Sequence, residues 1–169
     1  MNITLIGMPA AGKSVIGVLL AKKLGYDFVD SDLLIQKQEG SLLHEIIHDK
    51  GVAKFKEIEE QVNASLDVHN TVIAPGGSVI YGEKAMKHLS EISFVVYLKV
   101  PYAELEQRLG DLEHRGVVLE GGMTLYDLYE ERVPYYEKYS MMEIDETGKT
   151  AAEVVKEIIS QLEKMRGIL

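Results

Sequence analysis

The sequence predicts an α/β protein of three layers, with a central, mainly parallel sheet of five strands and helices on both faces. Three observations lead there. Short apolar runs of strand length alternate along the chain with stretches whose apolar residues recur every three or four positions. The runs Thr71-Val72-Ile73-Ala74 and Ser93 to Leu98 are continuous rather than alternating, the pattern of strands covered on both faces. A glycine-bearing turn, Gly7 to Ser14, falls where the first strand gives way to the first helix.

Taken in order, Asn2 to Ile6 is a β-favouring run stopped by Gly7, and Ser14 to Leu24 carries apolar residues at helical spacing. Asp27 to Asp30 reads as a brief second strand. Leu33 to Gln38, Leu42 to His48 and Val52 to Val68 read as three consecutive helices, a helical insertion over about residues 31–68. The two central strands at 71–74 and 93–98 follow, then a helix from Tyr102 to Leu109. Next come a polar, glycine-bearing stretch over about 110–122, a helix from Thr124 to Tyr139 that contains Pro134, a weak strand at Met142 to Ile144 and a last helix from Ala151 to Met165. Such an order predicts right-handed crossovers and a ligand site at the carboxyl ends of the strands.

At 169 residues the chain is expected to form one domain, residues 1–169, with a core large enough to need no staple. Its 46% hydrophobic and 27% charged residues exclude disordered and fibrous classes. Twenty-seven acidic against eighteen basic residues give a formal charge of −9, which disfavours nucleic acid as a partner. There is no cysteine, so chemistry rests on oxygen, nitrogen and bound ions. No apolar run reaches the roughly eighteen residues of a membrane span, and the N-terminus lacks the marks of a signal peptide. We therefore expect a cytoplasmic monomer that engages no membrane.

Gly7-Met8-Pro9-Ala10-Ala11-Gly12-Lys13-Ser14 fits G-x-x-x-x-G-K-[ST] in full, between a strand and a helix as the phosphate-binding loop requires. Its glycines let the N–H groups of Ala10, Ala11, Gly12, Lys13, Ser14 and Val15 turn toward a nucleotide phosphate at a helix N-terminus. Lys13 reaches the β- and γ-phosphates, and Ser14 supplies an oxygen to Mg²⁺. ATP and Mg²⁺ are thus the predicted cofactors. Asp30-Ser31-Asp32 ends the second strand at the same edge of the sheet. One carboxylate can hold Mg²⁺ through water while the other bonds an acceptor hydroxyl and takes its proton. A helix cap is the competing reading, since Leu33-Leu34-Ile35 follows at once.

With these motifs in view, the chain resembles the shikimate kinases over nearly its whole length. Phe55-Lys56-Glu57-Ile58-Glu59 stands where that family shows F-R-x-x-E, Gly76-Gly77 where it has a triple glycine, and Arg132-Val133-Pro134-Tyr135-Tyr136 where it has R-x-P-x-Y. Arg115 falls in the region of the family's lid. The resemblance implies a three-layer P-loop kinase fold and ATP-dependent phosphorylation of shikimate to shikimate 3-phosphate, a step toward chorismate and the aromatic amino acids. It implies Asp30 as the metal-side carboxylate, Asp32 as the hydroxyl-binding base, and Lys56 and Arg132 at the acceptor carboxylate with Gly76 and Gly77 beside it. It also implies that Arg115 meets the transferring phosphate, that Arg108 and the Thr147-to-Lys149 loop lie near adenine, and that the 110–122 segment is a lid.

Three departures face the acceptor or the lid. Lys56 replaces an arginine, Ser78 stands where the third glycine would be, and the lid reads Arg115-Gly116-Val117-Val118 rather than R-P-L-L. They motivate one alternative, a kinase of this architecture for another hydroxylated small molecule. A non-catalytic nucleotide-binding module is a second, although Lys13, Ser14, Asp30, Asp32, Arg115 and Arg132 are all in place. His44-Glu45-Ile46-Ile47-His48 matches the H-E-x-x-H spacing of zinc sites but lies in the helical insertion, and we read it as a solvated helix face. Glu59 we read as an orienter of Lys56, and the tyrosines of the 124–139 helix as packing.

Overall fold

The computed structural model describes residues 1–109 and 121–166. Its strands are β1 (Asn2–Ile6), β2 (Asp27–Asp30), β3 (Thr71–Ala74), β4 (Ser93–Lys99) and β5 (Met142–Asp145), joined in the order β2-β3-β1-β4-β5 with every pairing parallel. Thr4 of β1 stands opposite Ile73 on one side and Val95 on the other. Every residue of β1 and β3 is buried, as the continuous apolar runs predict for strands covered on both faces. The edge strand β5 instead alternates, with Met142 and Ile144 inward and Glu143 and Asp145 exposed.

Among the described residues the helices are α1 (Lys13–Leu24), α2 (Ser31–Glu39), α3 (Leu43–Lys50), α4 (Val52–Ala64), α5 (Glu83–Ile92), α6 (Tyr102–Arg108), α7 (Leu125–Tyr139) and α8 (Ala151–Arg166). A single 3₁₀ turn spans Val79–Tyr81. Caps explain several boundaries. Asp30 accepts from the N–H groups of Asp32 and Leu33, so α2 starts two residues before the apolar run that signals it. Thr124 and Asp127 form a reciprocal capping box at the head of α7.

Two differences from the sequence reading stand out. α4 stops at Ala64 rather than Val68, because the Ser65 N–H closes the last turn and Asn2 Nδ2 takes the Val68 carbonyl at 2.7 Å, drawing the chain out toward β3. α5 has no counterpart in that reading. Its signal was present, since Ala85, Met86 and Leu89 are the buried stripe, Ile92 continues it and six charged or polar residues among ten fill the other face, but the stripe is short.

The core has two parts. The main cluster lies along the sheet, and a smaller one, Ile35, Ile46, Phe55, Ile58 and Val62, ties α2, α3 and α4 to one another. The helices between β2 and β3 therefore carry their own packing, and the cleft lies where this group meets the carboxyl ends of β1, β2 and β3.

Candidate active site

The Gly7-to-Ser14 loop joins β1 to α1 and is shaped by its glycines. A side chain on Gly7, whose φ is +155°, would sit 2.8 Å from the Leu98 carbonyl oxygen. Gly12 is left-handed at φ 78° and caps α1 with no side chain, which leaves the first N–H groups of that helix for a ligand. Lys13 Nζ donates to the Gly7 and Met8 carbonyls at 2.9 and 3.0 Å, holding the ammonium over the loop. Burial pulls its pKa down to about 8, against the pull of Asp32 and Asp30 in the other direction.

Ser14 Oγ donates to Asp30 Oδ2 at 2.7 Å, while Asp30 Oδ1 accepts from Asp32 N–H at 3.0 Å. Asp30 is thus both the cap and a partner of the loop, and its neighbour two residues on is left to face the cleft. Asp32 is raised to about 6, mainly by burial and then by the charge of Asp30, with Lys13 opposing. Ser14 and Asp30 offer two hard oxygens side by side, which suits Mg²⁺, an ion that keeps several waters and takes other oxygens from phosphate. Among the described residues no group of three or more His, Cys, Asp or Glu converges on a metal position.

A cavity of about 290 Å³ runs from the phosphate loop past Asp30 and Asp32 to Glu59, Gly76, Gly77, Ser78 and Arg132. Its floor is the turn after β3. A Cβ on Gly76 would lie 2.6 Å from Glu59 Oε1 and 2.8 Å from Asp32 Oδ1, so the two carboxylates converge on one point. A Cβ on Gly77 would lie 3.0 Å from Arg132 Nη1. Arg132 is only 1% exposed and therefore spends its charge inside the cleft. Tyr136, one turn along α7, donates its hydroxyl to the Gly77 carbonyl at 2.7 Å and stacks on Tyr97. Burial lifts Glu59 to about 7, with the Ser78 hydrogen bond pulling down and Asp32 pushing up. The cleft is bipolar, with Lys13 and Arg132 set against Asp32 and Glu59.

The structure does not bring every expected residue into this cavity. Lys56 lines a smaller cavity of about 130 Å³ behind it, its Nζ 4.5 Å from the centre of the Tyr81 ring, and Glu59 and Ser78 form the wall common to both. Glu59 is held by Ser78 Oγ at 2.5 Å, not by Lys56 as the sequence suggested. Arg108 reaches the phosphate loop, donating to Ala10 O at 3.3 Å, to Glu146 at 3.1 Å and to Glu104 at 3.1 Å. Lys149 is bound to the Asp145 carbonyl and to Glu157, on the loop between β5 and α8. Arg115 and the lid segment, apart from Gly121 and Gly122, lie outside the described residues. His44 and His48 are on α3, with His48 exposed and beside Asp49.

Sequence reasoning missed Tyr81 and Glu146. Tyr81 lies under Lys56 and 5.4 Å from the Arg132 guanidinium, and its hydroxyl accepts from Arg132 Nε at 3.4 Å. Glu146, buried at 3% exposure, anchors Arg108 beside the phosphate loop. Neither belongs to a local pattern, so only the fold reveals them.

With this geometry established, the chain can be set beside known proteins. The family model described as shikimate kinase matches residues 9–163. The shikimate kinase of Thermodesulfovibrio yellowstonii is 35% identical over 167 residues, covering 97% of this chain and 96% of its own. Among solved structures, the shikimate kinase of Acinetobacter baumannii in complex with shikimate superposes with a TM-score of 0.87 at 28% identity, covering 96% of this chain and 93% of that one. The shikimate kinase of Aquifex aeolicus gives 0.84 at 33% identity, with 96% of each chain covered.

Proposed function

This chain belongs to the shikimate kinase family, and on that premise we propose that it transfers the terminal phosphoryl group of ATP to a hydroxyl of shikimate, giving shikimate 3-phosphate and ADP. One observation carries the reading: a single cleft joins a complete phosphate loop to one carboxylate base and one cation, the half-buried Asp32 and the buried Arg132. A hydroxy acid needs a carboxylate for its hydroxyl and a cation for its carboxylate, and the cleft offers both within one cavity.

In this proposal the N–H groups from Ala10 to Val15 hold the phosphates and Lys13 neutralises the charge that moves onto them. Ser14 and Asp30 would hold Mg²⁺, Asp30 through water, and that ion would offset charge on the phosphate oxygens. Asp32 accepts the proton of the acceptor hydroxyl as its oxygen bonds to the terminal phosphorus and the bond to the β-phosphate oxygen breaks. Raised to about 6, Asp32 is ionised at neutral pH and still basic enough for the task. Arg132, with Lys56 behind the Glu59 wall, faces the acceptor carboxylate, and the Gly76-Gly77 turn lies against the ring. Arg108 and Lys149 flank the adenine. Arg115, carried in by the lid, meets the transferring phosphate.

The enzyme acts in the cytoplasm as a monomer whose partners are its small-molecule substrates, with neither nucleic acid nor membrane engaged. Its formal charge of −9 weighs against nucleic acid as a partner, and no described helix is long and apolar enough to cross a membrane. Steady-state ADP release measured with ATP and Mg²⁺, with and without shikimate, tests the assignment. Turnover that depends on shikimate is the expected result; ATP binding without shikimate-dependent turnover overturns it.

A further inference from the structure

Ser78 occupies the position at which this chain departs from the triple glycine of the family pattern, and the structure gives the departure a use. It follows Gly77 at the end of the β3 turn and caps the 3₁₀ turn Val79–Tyr81, with 5% of its surface exposed. Its Oγ donates to Glu59 Oε2 at 2.5 Å across the wall that separates the main cavity from the Lys56 cavity. Glu59 itself is 2% exposed, and its other oxygen, Oε1, has no hydrogen-bond partner among the described residues. That oxygen is the one aimed at the point above Gly76 that Asp32 Oδ1 also approaches. A glycine at position 78 would remove the donor that fixes Oε2, and a buried carboxylate with neither oxygen satisfied does not hold one orientation.

Resting on the acceptor cleft proposed above, we propose that Ser78 is a positioning residue that determines acceptor affinity through Glu59: its hydroxyl pins one carboxylate oxygen and so presents the other to the acceptor pocket beside Asp32. Lys56 lies against Tyr81, and Glu59 takes its orientation from a hydroxyl on the pocket floor. The charged and titratable groups that face Glu59 are Asp32 from the end of β2, Lys13 from the phosphate loop, and Arg132 and Tyr136 from α7. Ser78 is the neutral donor among them.

The test compares Ser78→Ala and Ser78→Gly with the conservative Ser78→Thr. Carboxyl-carbon NMR of the full chain, with Glu59→Gln to assign the signal, follows Glu59 directly and needs no acceptor. The wild-type midpoint, near 7, moves up by about one unit in Ser78→Ala, since a hydrogen bond to the charged form is lost, and returns in Ser78→Thr. With shikimate as the probe acceptor, Ser78→Ala raises the acceptor KM about tenfold while kcat and the KM for ATP stay within about twofold. An unmoved midpoint overturns the inference whatever the acceptor is. A moved midpoint with an unchanged acceptor KM overturns the positioning role. A wild-type enzyme that releases no ADP on shikimate overturns the acceptor assignment of the preceding section instead, and the midpoint still decides for or against Ser78.

Discussion

The nucleotide half and the acceptor half of the cleft are made in different ways. The first is one contiguous segment, Gly7 to Ser14, whose ligand groups are mostly main-chain N–H and whose shape is set by two glycines and a helix start. The second is assembled from side chains on separate elements: Asp32 on α2, Glu59 on α4, Ser78 after β3 and Arg132 on α7. A site made of backbone in one loop tolerates little variation, because each N–H depends on its neighbours' angles. A site made of side chains on separate helices can be altered one residue at a time, and that half carries Lys56 and Ser78.

If the halves are separable, substitutions in one should spare binding in the other. The largest effect falls on Lys13→Ala, for which steady-state turnover drops on the order of 10³-fold while acceptor binding measured by calorimetry stays within about twofold. Loss of acceptor affinity in that variant would join the halves. Next is Asp32→Asn, which lowers kcat on the order of 10²-fold or more with the KM for ATP nearly unchanged. In the wild type, kcat/KM for the acceptor falls as pH drops through about 6, because Asp32 then gains the proton it must be free to take. An acid limb absent from that profile removes Asp32 as base.

Glu59→Gln probes stability rather than rate. A carboxyl raised from 4.5 to about 7 by folding holds its proton more tightly in the folded chain. Its contribution to stability is full below about pH 4.5 and lost as pH rises through about 7. The uncharged glutamine escapes that loss, so thermal melts at pH 8 should favour Glu59→Gln by about 3 kcal/mol, and at pH 5 by less than about 1 kcal/mol. Equal melting shifts at both values would show that Glu59 is not held against its charge. The smallest effect is that of Lys56→Arg, which restores a planar fork and lowers the acceptor KM by about two- to fivefold in the steady-state assay. No change would place the acceptor carboxylate on Arg132 alone.

The same contrast decides what could be read before folding. The phosphate loop was legible because its residues are adjacent and each has a physical reason for its place. The mainly parallel sheet followed from the continuous apolar runs at 71–74 and 93–98 and from the alternation of strand and helix, since burial on both faces writes itself into a central strand. α5 escaped because its apolar stripe, Ala85, Met86, Leu89 and Ile92, is short and its other six residues are charged or polar. The pairing of Glu59 with Ser78, nineteen residues apart, could not be seen at all, and proximity in sequence pointed to Lys56 instead. Tyr81 and Glu146 act through contacts with residues far from them in the chain. Asp30 was ambiguous between cap and chemistry in sequence, and the structure shows why: one oxygen caps α2 and the other meets Ser14.

The floor at Gly76 has a pharmacological consequence. A compound designed to press flat against that turn would touch main chain whose immediate neighbours are Glu59 Oε1 and Asp32 Oδ1. Escape by adding even a methyl group there would shove aside the two carboxylates proposed to serve the acceptor, so drug resistance would have to arise at the walls and not beneath the ligand.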